Sequence, residues 1–162
     1  MSRTDYFMKT DEVLSDEILC EYEKCIRLRA EHIPLQHITG HQEFMGLDFL
    51  VNEHVLIPRQ DTEILVENAL KEVKQYALNA EKKEICALDM CTGSGCIAIS
   101  VKKLAMELYH VDQLSVMAVD LSEAALQTAK KNSEQNHCEI QFLQSDLFTN
   151  IKEEVFDIII SN

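Results

Sequence analysis

The chain has 162 residues, 46% of them hydrophobic and 27% charged, with few glycines or prolines. This ordinary globular usage excludes wholesale disorder, collagen-like repeats and proline-rich linkers. Lys+Arg 15 against Asp+Glu 28 leaves a net charge of −13, which disfavours nucleic-acid backbones and anionic membrane surfaces as partners.

No uncharged apolar run approaches the roughly 18 residues of a membrane span. No secretory leader is legible, so the cytoplasm is the expected location. Six cysteines (20, 25, 86, 91, 96 and 138) form no C-x-x-C pair, and free thiols in a reducing compartment are expected. His32, His37 and His41 follow Cys20 and Cys25 at no standard ligand spacing, so no metal site is expected.

In chain order, residues 11–31 read as a helix capped by Asp11 or Ser15, with Leu14, Ile18, Tyr22 and Ile26 at helical spacing. It ends by Ile33-Pro34, because the residue before proline avoids the helical region. The one organisational break lies around residues 34–42. Residues 43–57 read as a hairpin built on Phe44, Leu47, Phe49, Val51, Val55 and Ile57, with Val51–His54 as the turn. Pro58–Glu63 opens a helix that Asp61 or Thr62 would cap.

From residue 85 strands and helices alternate: strand 85–90, helix 96–109, strand 114–119, helix from Ser122 to about Asn132, strand 140–143 and strand 156–160. Such alternation predicts a parallel sheet covered on both faces.

The site candidates lie at strand ends. Asp89-Met90-Cys91-Thr92-Gly93-Ser94-Gly95 joins the first of these strands to its helix. Glycines there permit a tight turn and close approach of a ligand to backbone. Asp120 ends the second strand, 25 residues beyond Gly95, near the spacing of roughly 20 at which dinucleotide folds place a ribose-binding acid. Capping the next helix is its other reading, though Ser122 stands ready for that. Asp146 follows the third strand, where a carboxylate meets an adenine amino group or simply shapes a turn. No Walker lysine is present, so a nucleoside triphosphate is not expected. Asp89 would repel pyrophosphate and attract an amino or sulfonium cation, which points to S-adenosylmethionine.

Leu88–Ala98 resembles the first motif of class I methyltransferases. Three upstream stretches resemble the HemK/PrmC family of protein-glutamine methyltransferases: Pro34–Gly40 (PLQHITG), Glu43–Leu47 (EFMGL) and Val55–Glu63 (VLIPRQDTE). The resemblance runs from about residue 30 to the end. It implies a Rossmann-like class I methyltransferase sheet, of which this chain carries the first four strands, preceded by a helix and a β-hairpin. It also implies methyl transfer from S-adenosylmethionine to the side-chain amide of the glutamine in the Gly-Gly-Gln motif of peptide chain release factors.

On this resemblance Cys91, Thr92, Gly93, Ser94 and Gly95 form the cofactor turn, with Asp89 beside it. Asp120 holds the ribose, and Asp146 and Leu147 lie by the adenine. Phe44 and Pro58–Glu63 lie at the cofactor pocket or the substrate junction, or else serve hairpin packing and helix capping. Asn162 is the asparagine of an Asn-Pro-Pro-Tyr motif whose carbonyls hold the glutamine amide.

The Pro-Pro-Tyr that should follow is not in the sequence, and the chain reads as a fragment. Residues 1–40 would be the remnant of a helical substrate-recognition domain and 41–162 part of the methyltransferase domain. Its fourth strand would be an exposed apolar edge prone to self-association, and the isolated chain is expected to have little activity. Two other readings stay open: an adenine amino-methyltransferase of RNA or DNA, and a non-catalytic cofactor-binding fragment.

Overall fold

The computed structural model describes residue 8 and residues 13–78, 84–152 and 155–162; the predicted cap Asp11 lies outside them. Helix α1 (Asp16–Ala30) starts where Ser15 Oγ accepts the Ile18 amide at 3.4 Å. Asp16 and Glu17 at its start and Arg27 and Arg29 at its end complement the helix dipole. None of its residues is buried, so the apolar stripe of Leu14, Ile18, Tyr22 and Ile26 stands exposed. The predicted break at 34–42 holds a short helix, α2 (Leu35–Thr39), which Gly40 ends in the left-handed region at φ +79°.

The hairpin is tighter than predicted. Strand β1 (His41–Phe44) pairs antiparallel with β2 (Leu47–Leu50), in the register Phe44↔Leu47. Met45 and Gly46 make the turn, with φ of +53° and +75°, the two positive values a two-residue hairpin loop demands. The predicted turn at Val51–His54 lies beyond the hairpin. Helix α3 (Asp61–Ala77) follows, with Gln60 at its cap position and no side-chain cap bond, so neither Asp61 nor Thr62 caps it.

The sheet contains β3 (Ile85–Met90), β4 (Leu114–Asp120), β5 (Gln141–Gln144) and β6 (Ile158–Ser161). Helix α4 (Cys96–Tyr109) links β3 to β4, and α5 (Glu123–Gln135) links β4 to β5. All pairs are parallel in the order β5-β4-β3-β6, with Met90↔Val119, Asp120↔Gln144 and Met90↔Ser161 in register. All four strands therefore end at one edge.

Strand alternation sends Ile85 and Ala87 to one face and Leu88 and Met90 to the other. The first face carries the main core, joined by Val66 and Val73 of α3, Ile97, Val101 and Ala105 of α4, and the hairpin residues Phe44 and Phe49. On the second face Leu88, Met90, Met117 and Val119 are covered by Leu143, Ile151 and Phe156. Among the described residues that cover comes from β5 and the β5–β6 connection rather than from a helix. Burying Leu88 completely is worth about 2 kcal/mol, so this irregular cover still stabilises the sheet.

Candidate functional site

The turn after β3 extends the sheet by one step: the Thr92 amide donates to Val119 O at 2.9 Å. Three of the next residues adopt positive φ: Cys91 at +62°, Gly93 at +56° and Gly95 at +80°. Gly93 opens on free space, whereas a Cβ on Gly95 would lie 3.1 Å from Ala129 Cβ and 3.2 Å from Ile99 Cδ1. The first glycine thus leaves room for a ligand, and the second lets α5 approach the start of α4.

Two carboxylates hold the turn. Asp89 is 1% exposed. Its Oδ2 accepts Thr92 Oγ1 at 2.6 Å and the Ala98 amide at 3.2 Å, so it caps α4 from the end of the strand. Burial pushes its carboxyl up to about 7; the Thr92 and Ala98 hydrogen bonds oppose that, and the Asp120 charge adds to it. The other oxygen, Oδ1, is buried without a partner. Asp120 is half-buried at the end of β4. Its Oδ2 accepts the Gly93 amide at 2.8 Å and its Oδ1 accepts the Ser122 amide at 2.9 Å. Ser122 caps α5 through its own hydroxyl, which accepts the Ala125 amide at 3.2 Å.

The end of β5 is tied to the same place by the Ser145 amide, which donates to Asp120 O at 3.0 Å. Asp146 and Leu147 follow in an exposed loop, Leu147 at φ +49°. From the other side comes Asn162, just beyond the end of β6, whose Nδ2 donates to Thr62 Oγ1 at 3.0 Å. A pocket of about 70 Å³ gathers Leu56–Arg59, Thr62, Cys91–Ser94, Cys96, Ile97 and Asn162. An open cleft of about 740 Å³ shares Leu56–Arg59 and continues to Pro34, Gln36, His37 and Gln42. A third concavity, of about 460 Å³, lies by Ile85, His110 and Gln113. That is the start of β3, the wrong end of a parallel sheet for a ligand.

The structure therefore brings Cys91–Ser94 and Asn162 to one pocket, with Asp120 bonded to the turn and Asp146 and Leu147 on the neighbouring loop. Gly95 stands behind the pocket against α5. Asp89 lies beneath the turn rather than facing a ligand openly. Of its two expected roles, Phe44 takes hairpin packing rather than the cofactor pocket: it is 1% exposed and packs edge-to-face on Phe49, ring centroids 6.2 Å apart. In the Pro58–Glu63 segment Pro58 and Arg59 line the pocket, while Glu63 Oε1 accepts the Met45 amide at 2.9 Å and braces the hairpin turn. Thr62, expected as a cap or as part of the pocket segment, lines the pocket and holds Asn162.

All six cysteines are free thiols. Among the described residues no three His, Cys, Asp or Glu side chains gather as metal ligands, and no helix is long and apolar enough to cross a membrane.

The methyltransferase small domain matches residues 60–162, and the PrmC N-terminal domain matches residues 1–40. The chain is 39% identical over 163 residues to the release factor glutamine methyltransferase of Flavobacterium psychrophilum, covering 100% of this chain and 54% of that protein. It is 36% identical over 162 residues to the enzyme of the same name from Geobacter sulfurreducens, covering 100% and 52%. The chain thus spans about half the length of the curated relatives it matches. In fold it resembles the tRNA (uracil-54, C5)-methyltransferase of Pyrococcus abyssi, crystallised with S-adenosyl-L-homocysteine. That likeness has a TM-score of 0.51 at 18% identity, covering 74% of this chain and 26% of that one. A Rossmann-like sheet with a braced glycine turn, and two domain matches that together take in both the leading helix and the sheet, make this chain a member of the HemK/PrmC family of class I methyltransferases.

Proposed function

We propose that this chain carries the cofactor-binding half of an S-adenosylmethionine-dependent enzyme that methylates the glutamine amide in the Gly-Gly-Gln motif of peptide chain release factors. The observation that carries the reading is the meeting of the Asp120-braced glycine turn and Asn162 at one pocket.

The residues present fit the cofactor. Gly93 leaves space beside the turn, and the buried Asp89 Oδ1 leaves an acceptor unused beneath it. Each Asp120 oxygen accepts one backbone amide and keeps a second lone pair for a ribose hydroxyl. Asp146 and Leu147 stand on the loop next to Asp120, suited to the adenine end. When bound, S-adenosylmethionine supplies an electrophilic sulfonium methyl group.

An amide nitrogen is a weak nucleophile because its lone pair is delocalised, so the chain must work by orientation. Thr62 accepts one N–H of Asn162, which leaves the Asn162 carbonyl as the acceptor for a substrate NH2. Residues 1–40 serve as part of a substrate-recognition domain and 41–162 as part of the catalytic domain. The cytoplasm, where release factors act, is the proposed location. A net charge of −13 favours a protein substrate over the adenine of a nucleic acid.

The outer edge of β6, where Ile159 is 55% exposed, supports pairing between copies. Sedimentation velocity would show this as a concentration-dependent species, and a monodisperse monomer would count against it.

The substrate is tested with the full-length enzyme of which this chain is the proposed cofactor-binding half, using radiolabelled S-adenosylmethionine and two acceptors, a release factor and an RNA. Label on the Gly-Gly-Gln glutamine, absent from a Gly-Gly-Ala variant, is the expected outcome. Label on adenine would overturn the reading.

A further inference from the structure

We propose that Asn132, in the last turn of α5, is a positioning residue that sets the two walls of the pocket in register. Asn132 is fully buried. Its Oδ1 accepts the Leu50 amide at 2.7 Å, and its Nδ2 donates to Leu50 O at 3.0 Å and to Ser94 O at 2.9 Å. One side chain thus completes the outer edge of β2 and, with its remaining N–H, fixes the peptide between Ser94 and Gly95.

The two places it joins lead to opposite sides of the pocket. Ser94 belongs to the glycine turn. Leu50 ends the strand that runs, through Val51–Val55, into Leu56–Arg59. Neighbouring residues of α5 also grip this stretch: Asn136 Nδ2 and Gln135 Nε2 each donate to Asp48 O at 3.0 Å, and Thr128 Oγ1 accepts Asn52 Nδ2 at 2.9 Å. Those contacts reach the β2 segment alone; Asn132 reaches the turn as well. One turn of helix earlier, Ala129 sits against Gly95, so α5 touches the glycine turn at two successive positions on one face.

The chemistry requires an amide. Aspartate at this position keeps an acceptor for Leu50 N–H but sets an oxygen against two carbonyls. Alanine leaves the part-buried N–H and C=O of Leu50 and the buried C=O of Ser94 without this partner, which is unfavourable. The positional role rests on the cofactor reading given above; the hydrogen-bond bridge itself does not.

The test compares Asn132→Ala and the isosteric Asn132→Asp with Val73→Ala. Val73 is a fully buried residue of α3 in the main core and serves as a stability control. Each protein is titrated calorimetrically with S-adenosylhomocysteine well below its melting temperature, and amide hydrogen exchange is followed at Leu50 and Gly95. The expected result is an affinity loss of at least about tenfold in both Asn132 variants, with faster exchange at both amides in Asn132→Ala and at Gly95 in Asn132→Asp. Val73→Ala should melt earlier yet bind and exchange at those amides nearly as wild type does.

Wild-type affinity in the Asn132 variants, or a loss that tracks melting temperature alike in all three, overturns the proposal. If wild type itself does not bind, the cofactor reading fails, and exchange at Leu50 and Gly95 alone decides whether the bridge exists. If both Asn132 variants fail to fold, the residue is a folding determinant and the positioning role is overturned.

Discussion

Asp89 shows how a residue chosen for its charge can be kept from showing it. Burial under the turn lifts its carboxyl from 3.8 to about 7, a gap equivalent to roughly 4 kcal/mol. Below about pH 4 both folded and unfolded chains hold this proton. Between about 4 and 7 only the folded chain does, so its contribution to stability falls as pH rises through that window and is flat above it. Denaturant titrations from about pH 5 to about pH 8 should show this decline in wild type and lack it in Asp89→Asn; parallel profiles would contradict the assignment. Asp120 and the Cys91–Gly95 turn were legible because strand ends and glycines carry local signals. Phe44 was left between pocket and hairpin core, because an aromatic residue in a strand reads alike whether it meets a ligand or a core. Asn132 was missed because an asparagine within a helix announces no partner 38 or 82 residues away.

At the scale of elements, the packing of α4 against α5 separates the two glycines of the turn. Gly95→Ala combines φ +80° with a Cβ 3.1 Å from Ala129 and should cost about 1–3 kcal/mol of stability. Gly93→Ala meets nothing within 4 Å, so its strain should stay near 1 kcal/mol. Its methyl group stands where the ligand would lie, and affinity for S-adenosylhomocysteine should fall by more than about tenfold. Thermal melts paired with binding isotherms would separate the two effects; equal stability losses with equal binding would refute the distinction. The strands and helices after residue 85 were legible almost to their boundaries, since each apolar run is short and each cap is local. The hairpin turn was misplaced by several residues because Met45-Gly46 lacks the Asn-Gly signature of such turns. The cover predicted for both faces comes, on the second face and among the described residues, from Leu143, Ile151 and Phe156.

For the molecule as a whole, parallel order brings four strand ends to one edge, where Asp89 and the turn follow β3, Asp120 ends β4, Asp146 and Leu147 lie beyond β5 and Asn162 beyond β6. Convergence of this kind is the general property of open α/β sheets, and the glycine turn makes this edge fit an adenosyl group without pyrophosphate. Leu56–Arg59 and Thr62 line the pocket opposite the glycine turn, which links the upstream part of the chain to it. The most direct test is calorimetric titration of S-adenosylmethionine into the chain, with circular dichroism on the same sample. Saturable binding that is lost in Asp120→Ala, with the helical spectrum unchanged, is the predicted result. A folded chain that binds no S-adenosylmethionine, or an Asp120→Ala variant that binds as wild type does, would contradict the account.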